Sequence, residues 1–394
     1  MSGACHAEPP APRRVPAWLP ATAFMALFFM GSGVFTPYLQ LYFKERGLSA
    51  LQIGTLSGVG PALSVLVPLV WGLLGDHSRR VRGLLALTSV LATAAFLTLP
   101  LSRGFLDLLA LSALFSAFSL AGGPLSTSVI LAEAERLGTD YGSLRLWGSV
   151  GFAAGILAAG RLVGGLGTAA IFPGYALPVL ASLLPLLWMR EAGARVGARL
   201  RWEQVWQALA RRELQVLLLV SLLWRIAASG YYTFYTIFIS GMGAGPGFVS
   251  IAWALGLVGE ITVLRYSGRL AKRIGVRGLL ALGLLGSAVR WLAYALAPTP
   301  GWTLPFQLLH GLTFGAMTTA AVLAVDRAFP SELRATGQGL LSAVMWGVGG
   351  LAGSVLAGYA VQALGMRWLY GLSAALAAAT VLLTRIPREG ADSR

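Results

Sequence analysis

D-Y-G-S-L-R-L-W-G-S-V-G-F, residues 140–152, is the stretch of the sequence that decides the fold. It begins with polar residues and carries Arg145 into an apolar run. On a helix, Arg145, Ser149 and Phe152 share one face, with Gly148 beside them. A charged side chain inside a membrane helix costs about 3 kcal/mol or more, so it is retained where it faces a partner or a water-filled cavity. We therefore expect Arg145 and Phe152 to line a cavity that binds a substrate.

The composition is that of a membrane protein. The chain has 394 residues, of which 56% are hydrophobic and 11% charged, with a mean hydropathy of +0.73, whereas a soluble domain has about 25% charged residues. The net charge of +15 is interpreted as basic loops that face anionic lipid. Nucleic-acid binding is not expected, because no basic run is interleaved with exposed aromatic residues.

The sequence offers no ligand set for a metal or haem. Cys5 is the single cysteine and there are three histidines, so neither an intrachain disulfide nor a structural zinc site is expected. No cofactor is predicted.

Twelve apolar runs are long enough to cross a bilayer, which takes roughly 20 residues. They cover residues 18–43, 52–74, 84–102, 104–130, 143–165, 168–188, 213–240, 247–266, 278–297, 302–325, 338–363 and 367–385. We therefore predict an all-α integral membrane protein with twelve transmembrane helices.

The longest polar break divides the runs into six and six. The predicted organisation is a disordered cytoplasmic tail, an N-terminal six-helix bundle, a cytoplasmic linker, a C-terminal six-helix bundle and a second cytoplasmic tail, at residues 1–17, 18–188, 189–212, 213–386 and 387–394. Lys and Arg are concentrated in alternate loops, on the side of both termini. This bias predicts cytoplasmic termini and a multi-pass protein of the cytoplasmic (inner) membrane.

Two basic turns repeat at equivalent places in the two halves. Residues 72–83 read G-L-L-G-D-H-S-R-R-V-R-G after the second span, and residues 268–278 read G-R-L-A-K-R-I-G-V-R-G after the eighth. They indicate a duplicated six-helix unit. Such repeats are typical of secondary transporters, whose substrate site lies between the halves near the bilayer midplane.

These features together resemble the major facilitator superfamily. Within it, residues 140–152 resemble the phenylpropionate-permease branch, which is related to lactose permease and the oligosaccharide:proton symporters. Further matching motifs are Y-Y at 231–232, L-G-L-V-G-E at 255–260, V-R-W at 289–291 and Q-L-L-H at 307–310. The resemblance implies a fold of two pseudo-symmetric six-helix bundles, alternating access, proton symport and action as a monomer.

Glu260 is an acid within the eighth span, roughly 12 Å from its cytoplasmic end. It shares a face with Trp253, which we expect to contact substrate, and with Gly256. Burial favours the neutral form of a carboxyl group, so Glu260 could carry a proton across the transport cycle. Two alternatives stay open. The matching glutamate of lactose permease helps to hold the sugar, and Arg265 or Arg290 could fix Glu260 as a structural carboxylate.

The resemblance places Arg290 in a proton-handling cluster. His310 lies in the tenth span on one face with Gln307, Phe314 and Thr318. We expect His310 to line the cavity and to take part in proton transfer, since histidine titrates near physiological pH. The alternative is a packed, hydrogen-bonded histidine.

Arg225 shares a face of the seventh span with Ser229, Tyr232 and Thr236. The centre of the predicted bundle holds three arginines (Arg145, Arg225 and Arg290) but a single acid, Glu260, so it has an excess of positive charge. This excess favours an anionic substrate whose carboxylate or phosphate pairs with arginine. Alternatively, some of these arginines reach headgroups by snorkelling.

Tyr232 is a further candidate for contact with the substrate. In the first span, Tyr38 follows Pro37 and is expected to line the cavity, whereas the phenylalanines of that span are expected to pack.

Asp76, Arg79 and Arg80 form the predicted gating set. In the superfamily this turn forms a charge network that stabilises the outward-open state. The simpler interpretation is that the arginines only reflect the positive-inside bias.

The chain departs from the resembling permeases at several titratable positions. Thr127 stands where they have an aspartate, and Ala228 and Thr318 where they often have histidines. Thr313 stands at the position where lactose permease has its main proton-carrying glutamate. Proton coupling would therefore depend on Glu260 and His310, with Asp326 or Glu133 as further candidates.

The sequence therefore predicts a secondary active transporter of a small organic solute, with an anion or aromatic acid among the candidates. Its partners are the solute, protons and the lipid bilayer. The alternatives are a proton-coupled exporter of drugs or metabolites and a transporter-derived sensor. An enzyme is not expected, because no phosphate-binding loop, zinc-protease motif or nucleophile elbow is present. The substrate, the direction of transport and the coupling ion stay open.

Overall fold

The computed structural model describes residues 16–78, 80–191, 209–210, 212–329 and 333–384. Within these ranges the regular secondary structure is helical, and no strand occurs. Ten helices in these ranges are long and apolar enough to cross a membrane. Two further helical segments in the C-terminal half, Pro300–Gln307 and Gly311–Ala328, are bent by 43° relative to each other and together form an eleventh span. One of the ten, Pro246–Ala295, has 50 residues, about twice what a bilayer needs.

The long helix is two spans joined at Gly275, which has a φ of 72°. Both arms pack on the same short segment. Gly259 of the first arm lies against the backbone of Leu308, and Gly286 of the second lies against Leu312. The chain therefore reverses at Gly275, a backbone conformation that glycine adopts without strain. The twelve predicted spans are thereby confirmed, but the basic residues expected in a turn after the eighth span lie on helix instead.

The first six spans form the N-terminal half. Several are broken in the middle, so each is given by its helical segments: Leu19–Phe35 with Leu39–Glu45, Ala50–Ser64 with Val67–Ser78, Val81–Thr98 with Leu99–Leu101, Phe105–Ser119 with Gly122–Leu137, Tyr141–Leu166, and Thr168–Ala170 with Ile171–Leu186.

The last six spans form the C-terminal half: Arg212–Gly241, residues 246–274, residues 276–295, the broken tenth span, the eleventh span and Met366–Leu383. The tenth consists of Pro300–Trp302, Thr303–Gln307, a π-helical turn Gly311–Ala316, and Met317–Ala328. The eleventh consists of Arg334–Ser342, a π-helical turn Ala343–Val348, and Gly349–Leu364.

Polar residues fix where the spans begin. Asp140 caps the fifth span, because its Oδ1 accepts a hydrogen bond of 2.9 Å from the Ser143 amide. Ser49 and Gln52 form a reciprocal capping box at the second span. Such caps satisfy amides that have no partner within the helix.

The two halves meet at the end of the molecule where the first and second, seventh and eighth, and eleventh and twelfth spans are joined. We call this the outer end, and the opposite end, at Gly275, the inner end. The second span packs on the eleventh through glycine. A Cβ at Gly54 would lie 2.4 Å from the Ser354 carbonyl oxygen and 2.9 Å from the Gly358 Cα. Backbones this close need small residues at the contact.

The inner end is open. Among the described residues, the inner segments of the second and fourth spans (Val67–Ser78 and Gly122–Leu137) pack mainly within the N-terminal half. The inner segments of the tenth and eleventh spans (Met317–Ala328 and Arg334–Ser342) likewise pack within the C-terminal half. A cleft between the halves therefore opens at the inner end and is closed at the outer end.

Three predicted segments lie largely outside the described residues. They are the two tails and the central linker, including its amphipathic run. Their boundaries stay predictions.

Candidate proton and substrate site

Arg290 is the centre of a polar cluster in the C-terminal half, and it is completely buried. Its Nη1 donates to His310 Nδ1 at 2.9 Å and to Thr313 Oγ1 at 3.0 Å. Its Nε donates to the Tyr294 hydroxyl at 3.0 Å, and its Nη2 donates to Gln307 Oε1. The guanidinium is thus held by four neutral acceptors.

Aromatic rings compensate part of this buried charge. The Arg290 Cζ lies 4.1 Å from the ring centroid of Tyr231 and 4.9 Å from that of Trp291. The negative face of an aromatic ring attracts a cation, most strongly where water is excluded. The Tyr231 hydroxyl also donates to Gln307 at 3.4 Å. Arg290 is therefore stabilised without a direct bond to an acid.

His310 connects Arg290 to Glu260. A guanidinium can only donate hydrogen bonds, so His310 Nδ1 must accept. A neutral imidazole then carries its proton on Nε2, and this atom lies 3.6 Å from Glu260 Oε2, just beyond hydrogen-bond length. Arg290 therefore fixes the tautomer of His310 and presents an N–H group to the carboxyl of Glu260.

Glycine brings His310 and Glu260 together. A Cβ at Gly259 would lie 2.3 Å from the Leu308 carbonyl oxygen, and one at Gly311 would lie 2.1 Å from the Gly259 carbonyl oxygen. The eighth and tenth spans are thus in backbone contact directly beside the pair. The tenth span bends at this point and continues as the π-helical turn. Such turns occur frequently at functional sites.

Arg145 is the charge that the N-terminal half contributes. Its guanidinium lies 4.3 Å from the ring centroid of Phe29, and its positive charge favours the ionised form of the Glu260 carboxyl. Arg145 makes no ion pair with any residue in the described part of the chain. The Glu260 side chain is 22% exposed. Arg145 and Glu260 therefore belong to opposite halves, and the positive charge of Arg145 acts on the Glu260 carboxyl.

Arg225 lies apart from this cluster and is 7% exposed. Its Nη1 donates to Ser229 Oγ at 3.1 Å. The ring centroids of Tyr232 and Trp346 lie 4.9 and 5.3 Å from its Cζ. The sequence placed all three arginines around Glu260, whereas the structure gives Arg225 a separate aromatic environment.

Three other predicted contact residues lie at different depths. Tyr38 is completely buried at the outer end, where its hydroxyl donates to the Pro246 carbonyl oxygen at 2.6 Å and lies 2.8 Å from Ser250 Oγ. The ring of Trp253 lies 5.2 Å from the ring of Tyr231, tilted by 32°. Phe152 is partly buried on the fifth span. Their roles in substrate binding stay predictions.

The predicted gating set lies at the inner end. Asp76 and Arg80 are exposed, and Arg79 is outside the described residues. An ion pair of 3.2 Å between Arg82 and Glu191 joins the third span to the end of the sixth in the same region. Whether the predicted set gates transport stays a prediction.

The two further candidates for proton coupling are already engaged in ion pairs. Glu133 is completely buried and accepts bonds from Arg136, at 2.6 Å, and from the Arg190 amide. Asp326 pairs with Arg334 at 3.1 Å. Glu260 is therefore the acid of this group that faces the cleft.

Sequence reasoning did not identify Gln307, Thr313 and Tyr231 as the residues that hold Arg290. A pattern that could have found two of them is the spacing of three between Gln307, His310 and Thr313, which keeps polar side chains on one side of the tenth span. Neutral polar residues are common in membrane helices, so this pattern alone is weak.

Comparison with known proteins identifies the family of the chain. The family model described as "MFS_1 like family" matches residues 19–372. The chain is 30% identical over 354 residues to the maltose permease of Geobacillus stearothermophilus, covering 88% of both proteins. It is 30% identical over 369 residues to a protein of Escherichia coli (strain K12) named "Probable 3-phenylpropionic acid transporter", covering 90% of this chain and 96% of that one.

Among solved structures, the nucleoside transporter NupG superimposes with a TM-score of 0.84 at 14% identity, covering 95% of this chain and 100% of that one. This likeness supports the fold alone. The family match over residues 19–372 and the two relatives show the family and the class of protein. The chain belongs to the MFS_1 like family of the major facilitator superfamily and is a multi-pass membrane transporter.

Proposed function

We propose that the protein carries a small organic acid together with a proton across the cytoplasmic membrane by alternating access, with both termini in the cytoplasm. The observation that carries this proposal is the connected series from Arg290 through His310 to Glu260, an acid on which the charge of Arg145 acts from the opposite half. It combines one acid able to take up a proton with an unpaired cation on the opposite half.

Glu260 is the proton carrier in this mechanism. Its side chain is partly exposed, so it can exchange a proton with water in the cleft. His310 is not the carrier, because its Nδ1 accepts a hydrogen bond from Arg290 and cannot also hold a proton. The role of His310 is to donate its Nε2–H toward the Glu260 carboxyl.

Coupling follows from the charge of Arg145. When Glu260 is ionised, it attracts Arg145 and lowers the positive potential of the cleft. When Glu260 is protonated, this attraction is lost, and the cleft gains one unit of positive charge that favours an anion. The acid and the proton therefore bind together. After both leave, the attraction between Glu260 and Arg145 draws the halves together at the inner end.

A neutral sugar is the second candidate substrate, because one relative is named a maltose permease. Sugar sites require several free hydrogen-bonding groups. In the cluster around Arg290, the amide oxygen of Gln307 and the hydroxyl of Thr313 are already bonded to the guanidinium. This arrangement favours the acid over the sugar.

The test begins with a thermal-shift screen of the purified protein against carboxylic acids, sugars, nucleosides and drugs. A ligand at a hundred times its Kd stabilises a protein by about 2.7 kcal/mol. The acid found in this way is then added to proteoliposomes in weakly buffered medium. We expect the medium to become more alkaline as the acid and protons enter. Stabilisation by sugars alone, or entry of the acid without protons, would refute the proposal.

A further inference from the structure

The guanidinium of Arg225 has one edge that makes no hydrogen bond. Its Nη1 is bonded to Ser229, whereas its Nε is buried and has no partner. Its Nη2 makes no hydrogen bond to any residue in the described ranges. A buried cation with unused donors is costly, so an unfilled edge of this kind points to a ligand.

No acidic residue in the described part of the chain forms an ion pair with Arg225. The groups that contact its charge are the rings of Tyr232 and Trp346. Rings of this kind attract a cation, but they accept no conventional hydrogen bond from its edge. No side chain in the described ranges therefore supplies an acceptor to this edge, which leaves a position for an acceptor from a ligand.

The free edge has the geometry of a carboxylate receptor. Nε and Nη2 are neighbouring nitrogens whose N–H groups point in parallel, and they match the two oxygens of a carboxylate in a bidentate pair.

Arg225 also lies where the halves meet. A Cβ at Gly350 of the eleventh span would lie 3.5 Å from Arg225 Nη2 and 2.8 Å from the Cβ of Pro61 on the second span. Glycine at 350 thus lets the eleventh span pack closely against Pro61 beside the free edge, where the seventh, eleventh and second spans meet.

A series of rings joins this position to the proton site. Trp346 lies in the π-helical turn of the eleventh span, with its ring 5.7 Å from that of Phe314. Phe314 stacks on His310 at 5.6 Å, and Tyr232 lies 6.2 Å from His310. An organic group bound at Arg225 would therefore contact the same aromatic wall that borders His310.

We infer that Arg225 binds the carboxylate of the transported acid through Nε and Nη2, and that the rest of the acid packs against Tyr232 and Trp346. The three central arginines then have separate tasks: Arg290 orients His310, Arg145 faces Glu260, and Arg225 holds the substrate. The inference rests on the proposed function only in taking the transported acid as the occupant.

Benzoate and benzamide test this site, because they have nearly the same shape and differ in charge. Binding is measured at equilibrium on the purified full-length protein, without a pH gradient, by thermal shift and tryptophan fluorescence. We expect wild type to bind benzoate at least tenfold more tightly than benzamide, the difference that one charged hydrogen-bonded pair provides.

Arg225→Gln and Arg225→Lys should each lose about tenfold in affinity for benzoate. Lysine keeps the charge but lacks the two parallel donors, so its loss separates bidentate binding from simple attraction. Arg161→Gln is the control, since Arg161 is exposed near the outer end of the fifth span, and it should bind like wild type. Unchanged benzoate affinity in Arg225→Gln would overturn the inference. The inference would also be overturned if chloride or inorganic phosphate competed with benzoate as strongly as benzoate itself binds, because the site would then be one for free inorganic anions.

A second measurement applies if the Arg225 variants do not fold. Benzoate, but not benzamide, should change the fluorescence of wild type, and Trp346→Phe should remove most of that change. A change that persists fully in Trp346→Phe would place the acid elsewhere. Glu260→Gln should still bind benzoate. Failure of proton coupling and failure of this inference are therefore distinguished by separate assays.

Discussion

The interiors of the two halves differ in chemistry, although both are built from six spans. Both interiors contain clustered rings, and in the N-terminal half the ring of Phe96 lies 4.7 Å from Tyr175, 4.8 Å from Phe115 and 4.9 Å from Phe172. In the C-terminal half a buried arginine, Arg290, is surrounded by hydrogen-bonding side chains. The duplicated fold thus supplies two similar bundles, of which one carries most of the polar machinery.

The N-terminal half contributes a single central charge, Arg145, and one side of the outer contact. The charge of Arg145 acts on Glu260, while Gly54 and Tyr38 make the outer contact. This division leads to an ordered set of effects. Changes in the polar cluster should abolish function, whereas changes in the outer contact should shift the balance between conformations.

Arg290→Ala should have the largest effect. It removes the partner of four hydrogen-bonding groups and leaves a cavity, at a cost of about 3 kcal/mol or more in stability, and it frees His310 to change tautomer. We expect a lower Tm and no proton-driven uptake of the acid identified by the ligand screen. Arg161→Ala, on the outer end of the N-terminal half, should retain both. Normal uptake by Arg290→Ala would show that the polar cluster around Arg290 is not required for proton-driven transport.

Gly54→Ala tests whether the N-terminal half must touch the backbone of the eleventh span. The new Cβ would lie 2.4 Å from the Ser354 carbonyl oxygen, and overpacking costs about 1–3 kcal/mol. The outer end should therefore open. Spin labels at Lys44 and Leu364 should report a longer distance by pulsed electron paramagnetic resonance.

Gly60→Ala is the matched control for that experiment. It lies on the same span, but its Cβ would meet its nearest neighbour, Ser116 Oγ, at 3.7 Å. The label distance should stay as in wild type. Equal distances in Gly54→Ala and wild type would contradict the closed outer contact.

Tyr38→Phe should have the smallest effect. It removes the hydroxyl that bonds to the Pro246 carbonyl oxygen across the halves, a loss of about 1 kcal/mol. The same pair of labels should show a minor open population, with folding unchanged. Tyr359→Phe, at a side chain that is 64% exposed, should show none. A label distribution identical to that of wild type would argue that this bond does not help to close the outer end.

The fold could be predicted from sequence because the bilayer imposes a strict length on every apolar run. Charges in such runs are costly, so Arg145, Glu260 and Arg290 could also be recognised. Gly275 could not be distinguished from the other glycines of a chain that contains 50. The residue at which the chain reverses between the eighth and ninth spans could therefore not be located within the predicted basic turn at 268–278.

The partners of the charges could not be predicted, since they depend on which helices touch. Gln307 and Thr313 are uncharged and carry no comparable penalty in the sequence. The position of Arg225 depends on the contact between the seventh and eleventh spans, where Ser229 Oγ lies 2.4 Å from a Cβ placed at Gly353. Sequence periodicity gives the face of a helix but not the neighbour that covers it.

The central claim is that Glu260 carries the proton, and one measurement on Glu260→Gln tests it most directly. In proteoliposomes with an inwardly directed proton gradient, wild type should accumulate the acid identified by the ligand screen above its external concentration. Glu260→Gln, which is permanently neutral at this position, should only equilibrate the acid and should still exchange internal for external acid. Glu213→Gln, which alters an exposed acid paired with Arg277 at 3.5 Å, should accumulate like wild type. Accumulation by Glu260→Gln at the level of wild type would contradict the account.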